Sequence, residues 1–129
     1  MSNSTAMLEP SIEAMSARGL ATLHQEAWPA QWEYVCGNSV FYQRKFGATV
    51  DTALPLNRIA ELPLTEKDEL RDSIEQCPPF GDYLACDPGR VVRLHRTSGT
   101  TGGPVNIAWT QQDAGVTARV GARAMFAAG

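Results

Sequence analysis

The sequence lacks the marks of a membrane, secreted or nucleic-acid-binding protein. No apolar run approaches the roughly 18 residues that a membrane helix needs, and the first residues contain no charged segment followed by an apolar one. The 11 basic residues are outnumbered by 14 acidic ones, giving a formal charge of −3, and they are scattered along the chain. We therefore expect a cytoplasmic protein that binds neither nucleic acid nor membrane.

Cysteine and histidine are also scarce. The three cysteines, Cys36, Cys77 and Cys86, form no CxxC pair, and His24 and His95 have no carboxylate or thiol at ligand spacing. An odd number of cysteines at wide spacing fits neither a disulfide framework nor a tetrahedral metal site. The sequence therefore predicts reduced thiols, no metal site and no cysteine nucleophile.

The composition is that of one globular unit. The chain has 129 residues, of which 43% are hydrophobic and 19% are charged, and this length supports one domain at most. The first residues are small and polar, so ordering them would gain little. We expect residues 1–7 to form a disordered tail and residues 8–129 to form the folded part.

Helical patterns dominate the first half. Apolar residues recur at helical spacing from Leu20 to Phe46, but Pro29 has no backbone donor and is predicted to break the helix there, with a second piece from Pro29 to Cys36. Ser39 is predicted to cap a third piece that Gly47 closes. Aromatic residues at this spacing are more typical of a core than of an aromatic acyl pocket: Trp28, Trp32, Phe41, Tyr42 and Phe46.

A proline-containing connection comes next. Residues Ala48 to Leu64 are predicted to form a loop with a short turn around Asn57 to Glu61. Thr65 and Asp68 have capping-box spacing, which predicts a helix from about Glu66 to Ser73.

The last third predicts two strands and a helix. A β-prone run indicates a strand from about Arg90 to His95, and period-two alternation indicates another from Val105 to Trp109. Thr110 and Asp113 repeat the capping-box spacing before a helix from Ala114 to Ala128. The predicted fold class is α/β, locally α+β: a helical amino-terminal half, then a β-hairpin and a helix.

The segment between the two strands has the composition of an anion-binding loop. Its glycines allow backbone N–H groups to converge, and Ser98, Thr100 and Thr101 add hydroxyl donors. The spacing fits neither GxxxxGK[ST] nor GxGxxG, which excludes the common nucleotide-binding loops. From composition alone, such a segment between strands is more often a solvated hairpin loop than an anion-binding one. Arg93 and Arg96 precede the loop, and strand alternation predicts that one of them is merely exposed.

Three blocks of sequence resemble a known family. The string from Leu94 to Gly102 resembles the phosphate-binding signature of the AMP-forming adenylating enzymes, the acyl-CoA synthetase superfamily. Upstream, residues Tyr34 to Phe46 and Leu62 to Asp72 resemble the amino-terminal part of phenylacetate-CoA ligases, in the same order and at the same separation. The resemblance extends from about Glu26 to Gly129.

The resemblance implies a chemistry. Such ligases join a carboxylic acid, here an aromatic one, to AMP from ATP with Mg²⁺, and then transfer the acyl group to coenzyme A. It assigns phosphate binding to six residues and no catalytic role to any residue of this chain. The six are Thr97, Ser98, Gly99, Thr100, Thr101 and Gly102. Relatives commonly have lysine next, where this chain has Gly103.

Length sets this chain apart from the family. Family members are several-fold longer, and their motifs for the magnesium-binding glutamate, the ribose-binding aspartate and the catalytic lysine are absent here. We therefore expect a partial AMP-binding domain, truncated after the hairpin and its following helix. It would be inactive alone and is either a truncated product or part of a split enzyme with a second chain. A non-catalytic nucleotide-sensing or interaction module derived from such a ligase is the alternative.

Overall fold

A computed structural model describes residues 7–47, 53–98 and 103–128. The helices are α1 (Pro10–Glu13), α2 (Ala17–Asn38), α3 (Val40–Phe46), α4 (Lys67–Gln76) and α5 (Gln111–Ala128). The strands are β1 (Val91–Arg96) and β2 (Asn106–Thr110), and short 3-10 helices cover Leu56–Glu61 and Pro88–Arg90. The helical first half, the hairpin and the final helix confirm the predicted fold class. The predicted tail lies, apart from its last residue, outside the described residues.

The predicted break at Pro29 is wrong. Helix α2 runs through this residue from Ala17 to Asn38. An internal proline costs an isolated helix about 3 kcal/mol, but tertiary contacts hold the chain on both sides of it. The Trp28 indole nitrogen donates to the Leu54 carbonyl at 2.6 Å, and Trp32 is only 3% exposed. Packing of this face therefore outweighs the local preference of proline.

The predicted cap of α3 is confirmed, whereas that of α4 is wrong by one residue. The Ser39 hydroxyl accepts a hydrogen bond from the Tyr42 amide, and Gly47 ends α3 with φ 67°. Helix α4 is capped by Glu66 instead of Thr65, because the Glu69 carboxylate reaches back to accept from the Glu66 amide at 2.7 Å. The helix also extends to Gln76, beyond the predicted end at Ser73.

The two strands pair antiparallel, as the prediction of a hairpin requires. Arg96 lies opposite Asn106 and Leu94 opposite Ala108, with an irregularity between Val91 and Arg93. Each strand begins and ends one residue later than predicted. The predicted capping box at the next helix is confirmed, since Asp113 accepts from the Thr110 amide at 2.8 Å, and α5 starts three residues earlier than predicted.

The core is small and partly aromatic. The buried apolar side chains among the described residues are Trp32, Phe41, Leu54 and Val105. Ring contacts extend this core, with centroids 5.6 Å apart for Trp28 and Trp32 and 5.3 Å apart for Trp32 and Phe46. Of the five aromatic residues interpreted as core, Trp32 and Phe41 are buried, whereas Trp28, Tyr42 and Phe46 are half-buried beside them. Within the described ranges, no helix is both long and apolar enough to cross a membrane.

A turn formed by residues 81–83 joins the helices to the hairpin. The Asp82 carbonyl accepts from the Phe41 amide at 3.0 Å, and the Tyr83 hydroxyl donates to the Asn106 carbonyl of β2. Gly81 has φ 77°, and a Cβ added to it would lie 2.6 Å from the Tyr83 ring. The turn therefore requires glycine, and it fixes the start of β2 relative to α3.

Candidate functional site

The candidate site lies where the hairpin opens into the glycine-containing loop. The Thr97 amide donates to the Val105 carbonyl at 3.1 Å, and the Val105 amide donates to the Thr97 hydroxyl at 3.0 Å. Val105 is buried, so this pair closes the hairpin firmly. Four of the six predicted phosphate-binding residues, Gly99 to Gly102, lie outside the described residues.

The two described members of the predicted set have different surroundings. The Thr97 hydroxyl oxygen already accepts one hydrogen bond from the hairpin, which leaves its proton available for donation. Ser98 is exposed. Both hydroxyls are thus able to donate to a further acceptor.

Arg71 of α4 holds the far end of the loop. Its Nε donates to the Gly103 carbonyl at 2.8 Å, and its Nη1 donates to Asp68 one turn earlier in the helix. The side chain is 17% exposed, and its Nη2 is buried with no hydrogen-bond partner among the described residues. Sequence reasoning missed this residue, although it lies in a block that carried the family resemblance.

Other polar residues of the hairpin are less suited to binding a ligand. Arg93 and Arg96 are both exposed, whereas alternation predicted one, because a sheet of two strands leaves much of both faces uncovered. The centroids of the His95 and Trp109 rings are 3.9 Å apart, so the imidazole packs against β2.

Charged and titratable groups near the hairpin are mainly structural. Burial raises the pKa of Tyr83, opposed by its hydrogen bond to Asn106. The three cysteines are free thiols, as predicted, and burial raises the pKa of Cys36, which disfavours a reactive thiolate. Among the described residues, no group of three His, Cys, Asp or Glu side chains is placed to hold a metal ion.

An open groove of about 1200 Å³ lies beside the closing pair of the hairpin. Residues from α2, from the 3-10 helix Leu56–Glu61 and from β2 line it together with Thr97. Most of the lining is apolar or aromatic and includes Trp28, Tyr34, Ile59, Tyr83 and Ile107. Charged side chains also line the groove, namely Lys67, Arg90 and Asp113, so it offers both apolar and charged contacts to a ligand.

Comparison with curated proteins identifies relatives of one kind. A phenylacetate-coenzyme A ligase of Pseudomonas putida is 36% identical over 96% of this chain and 28% of its own length. The enzyme of the same name from Escherichia coli (strain K12) is 35% identical over 95% of this chain and 27% of its own length. No family model matches the chain.

Solved structures give a matching result for the fold. A 2-hydroxyisobutyryl-CoA ligase in complex with 2-HIB-AMP and CoA superposes with a TM-score of 0.76 and 29% identity, over 87% of this chain and 24% of that one. Its open conformation gives a TM-score of 0.75 and 26% identity. The chain spans about a quarter of the length of the relatives that it matches. Over that span it is similar to the phenylacetate-CoA ligases and has part of the fold of an adenylate-forming CoA ligase.

Proposed function

We propose that the chain is the amino-terminal part of an ATP-dependent, AMP-forming arylacetate-CoA ligase. One observation carries the proposal: the string from Thr97 to Gly102 connects two paired strands in a chain that is 36% identical to a phenylacetate-coenzyme A ligase. In the proposed reaction, a carboxylate oxygen attacks the α-phosphorus of ATP and pyrophosphate leaves. The thiol of coenzyme A then attacks the acyl carbon and AMP leaves.

The proposed phosphate site keeps the six residues named from the sequence: Thr97, Ser98, Gly99, Thr100, Thr101 and Gly102. Converging backbone amides and hydroxyl protons would stabilise the charge that grows on the departing pyrophosphate. The paired backbone at Thr97 and Val105 supports this proposal, because it gives the loop a rigid base. Mg²⁺ is proposed as the counter-ion of ATP.

The proposed acid is aromatic, and the groove beside Thr97 supports that choice. Aromatic side chains make up part of its lining, and ring stacking favours a flat apolar ligand. The names of the curated relatives agree with an arylacetate.

The remaining ligase motifs are proposed to come from further polypeptide, in a second chain if the enzyme is split. Residues 8–129 then form a partial AMP-binding domain in a cytoplasmic enzyme. The hairpin and α5 support this proposal, because a two-stranded sheet is marginal alone and several of their apolar side chains are exposed. These side chains are Val92, Leu94, Ile107, Val116, Val120 and Phe126.

ATP–pyrophosphate exchange with phenylacetate tests the proposed function. We expect no exchange from the chain alone, and exchange when a polypeptide carrying the remaining ligase motifs is added. Thr100→Ala should abolish most of the exchange, whereas Ser11→Ala, an exposed residue of α1, should leave it unchanged. Stabilisation of the chain by ATP without exchange in the mixture would favour a nucleotide-sensing module instead.

A further inference from the structure

The outer edge of β1 carries backbone groups that point away from β2. The register places Arg96 of β1 opposite Asn106 of β2. In an antiparallel ladder, pairs that exchange hydrogen bonds alternate with pairs whose N–H and C=O groups point away from the neighbouring strand. Because the Thr97 amide donates to the Val105 carbonyl, the next pair along the ladder is of the second kind. The outward-facing residues of β1 are therefore Arg96 and, two residues earlier, Leu94.

The two outer edges of the sheet differ in what the chain has placed on them. On β2, the Asn106 carbonyl accepts from the Tyr83 hydroxyl, and the Thr110 amide donates to Asp113, so both ends of that edge are occupied. On β1, the outward amides and carbonyls have no hydrogen-bond partner among the described residues. Unpaired edge groups are a template for a further strand. The edge open to such a strand is therefore that of β1.

The side chains of β1 indicate which kind of strand fits. Val92 and Leu94 are 56% and 44% exposed. Arg93 and Arg96 are exposed as well, and neither forms an ion pair with a described residue. A second copy of the chain would bring the same arginines against this edge, where like charges repel. The edge is thus complementary to a strand that carries apolar and acidic side chains.

We propose that β1 receives a third strand from the remaining ligase polypeptide, paired with the backbone of Leu94 and Arg96. These two residues lie on the same face of the sheet, so the added strand has an apolar side chain beside Leu94 and a carboxylate beside Arg96, two residues apart. Main-chain pairing supplies affinity and the two side-chain contacts supply specificity.

The choice of this occupant rests on the proposed function. The chain covers 28% of the length of the Pseudomonas putida relative, which leaves most of such a ligase to supply the strand. A sheet of two strands is marginal alone, so pairing with a third strand would also stabilise the hairpin.

Hydrogen exchange of the free chain tests whether the edge is open. Rates are measured at single-residue resolution by mass spectrometry and divided by those of unstructured peptides. The amides of Leu94 and Arg96 should be at least about tenfold less protected than that of His95, which the register directs toward Ile107. Equal protection of the three amides would overturn the proposal. So would a dimer that protects Leu94 and Arg96, because a second copy would then occupy the edge.

A chimera tests the occupant. In it, this chain replaces the aligned segment of the Pseudomonas putida ligase, so the remaining polypeptide of that enzyme is present. The amides of Leu94 and Arg96 should exchange at least about tenfold more slowly than in the free chain. Unchanged exchange in a folded chimera would overturn the proposal.

Charge reversal in the chimera tests the acidic character of the added strand. Arg96→Glu replaces attraction across the new pair by repulsion and should lower the protection of the edge amides about fivefold or more. Arg18→Glu makes the same change at an exposed residue of α2 and should leave this protection within about twofold of the parent chimera. An equal effect of the two substitutions would overturn the proposed carboxylate.

ATP–pyrophosphate exchange by the chimera separates this inference from the proposed function. An active chimera with unprotected edge amides would overturn the third strand and leave the proposed function standing. Protected edge amides in an inactive chimera would support the strand and count against the proposed function. Because the free-chain measurement needs no partner, it can refute the open edge even if the chimera fails to fold.

Discussion

Substitution of Ser73 by alanine should destabilise the protein more than its small change in volume suggests. Ser73 is 2% exposed, and its hydroxyl makes two hydrogen bonds to one residue. It donates to the Asp82 carboxylate at 2.6 Å and accepts from the Asp82 amide at 2.9 Å. The backbone of Gly81 approaches the same hydroxyl closely, since a Cβ added to this glycine would lie 2.7 Å from the Ser73 Oγ. The alanine variant therefore leaves the Asp82 amide unpaired.

The magnitude follows from these two bonds. An unpaired buried amide costs about 1–3 kcal/mol, so we expect the free energy of unfolding of Ser73→Ala to fall by about 2 kcal/mol. In a chain of this length, each kcal/mol lowers the Tm by about 4 °C, which predicts a loss of about 8 °C. Urea and thermal unfolding followed by circular dichroism give both quantities.

Ser11→Ala is the matched control for this measurement. Ser11 is an exposed residue of α1, and its substitution should change stability by no more than about 0.5 kcal/mol. A loss of stability in Ser73→Ala as small as that of the control would refute the assignment of the two bonds as a structural tie.

Two further predictions concern the same turn. Gly81→Ala should lower the free energy of unfolding by about 2 kcal/mol or more, since φ 77° is strained for alanine and its Cβ would displace the Tyr83 ring; a Tm equal to that of the parent would contradict this. Acid should also destabilise the fold, because the Asp82 carboxylate is stabilised in its charged form. Burial raises the pKa of Asp82, but the Arg44 guanidinium and the Ser73 hydroxyl outweigh burial and hold this pKa below its ordinary value of 3.8. A carboxyl with a lowered pKa contributes stability above its ordinary pKa, and this is lost as pH falls through the folded value. Unfolding measured from pH 6 to pH 2 should therefore show a smaller acid loss in Asp82→Asn than in the parent, and an equal loss would exclude this role.

Local signals in the sequence predicted the local structure well. Ser39, Gly47 and the pair Thr110 and Asp113 act on backbone groups within a few residues, so their chemistry can be recognised without knowing the fold. The prediction at Pro29 failed because contacts of Trp28 and Trp32 with distant residues decide the course of α2. Propensity is a weak guide wherever such packing competes with it.

The cap of α4 failed for a different reason. Two overlapping capping boxes are available there, one starting at Thr65 and the other at Glu66, and both have an acidic residue at the required spacing. The Glu69 side chain is longer than that of Asp68 and reaches back to accept from the Glu66 amide. The Asp68 carboxylate accepts from Arg71 instead. The choice between the boxes therefore depends on side-chain length and on the local partner that each carboxylate takes, which the spacing alone does not contain.

The same limit applied to the site. The string from Thr97 to Gly102 indicated anion chemistry because glycine and hydroxyl residues suffice to suggest it. Arg71 could not be assigned in this way, since its contact with Gly103 joins two segments that no local pattern relates. Its place in the upstream block of family resemblance was the available signal.

The start of β2 is held in place by the helical half as well as by the sheet. Two strands alone are marginal, but side chains from other segments bind carbonyls at the start of β2 and just before it. Arg71 donates to the Gly103 carbonyl, and Tyr83 donates to the Asn106 carbonyl. Asn106 in turn donates to the Pro79 carbonyl at 2.5 Å. The Gly103 and Asn106 carbonyls cannot shift without breaking their hydrogen bonds to α4 and to the 81–83 turn. The helical half therefore supports the end of the hairpin next to the candidate phosphate site.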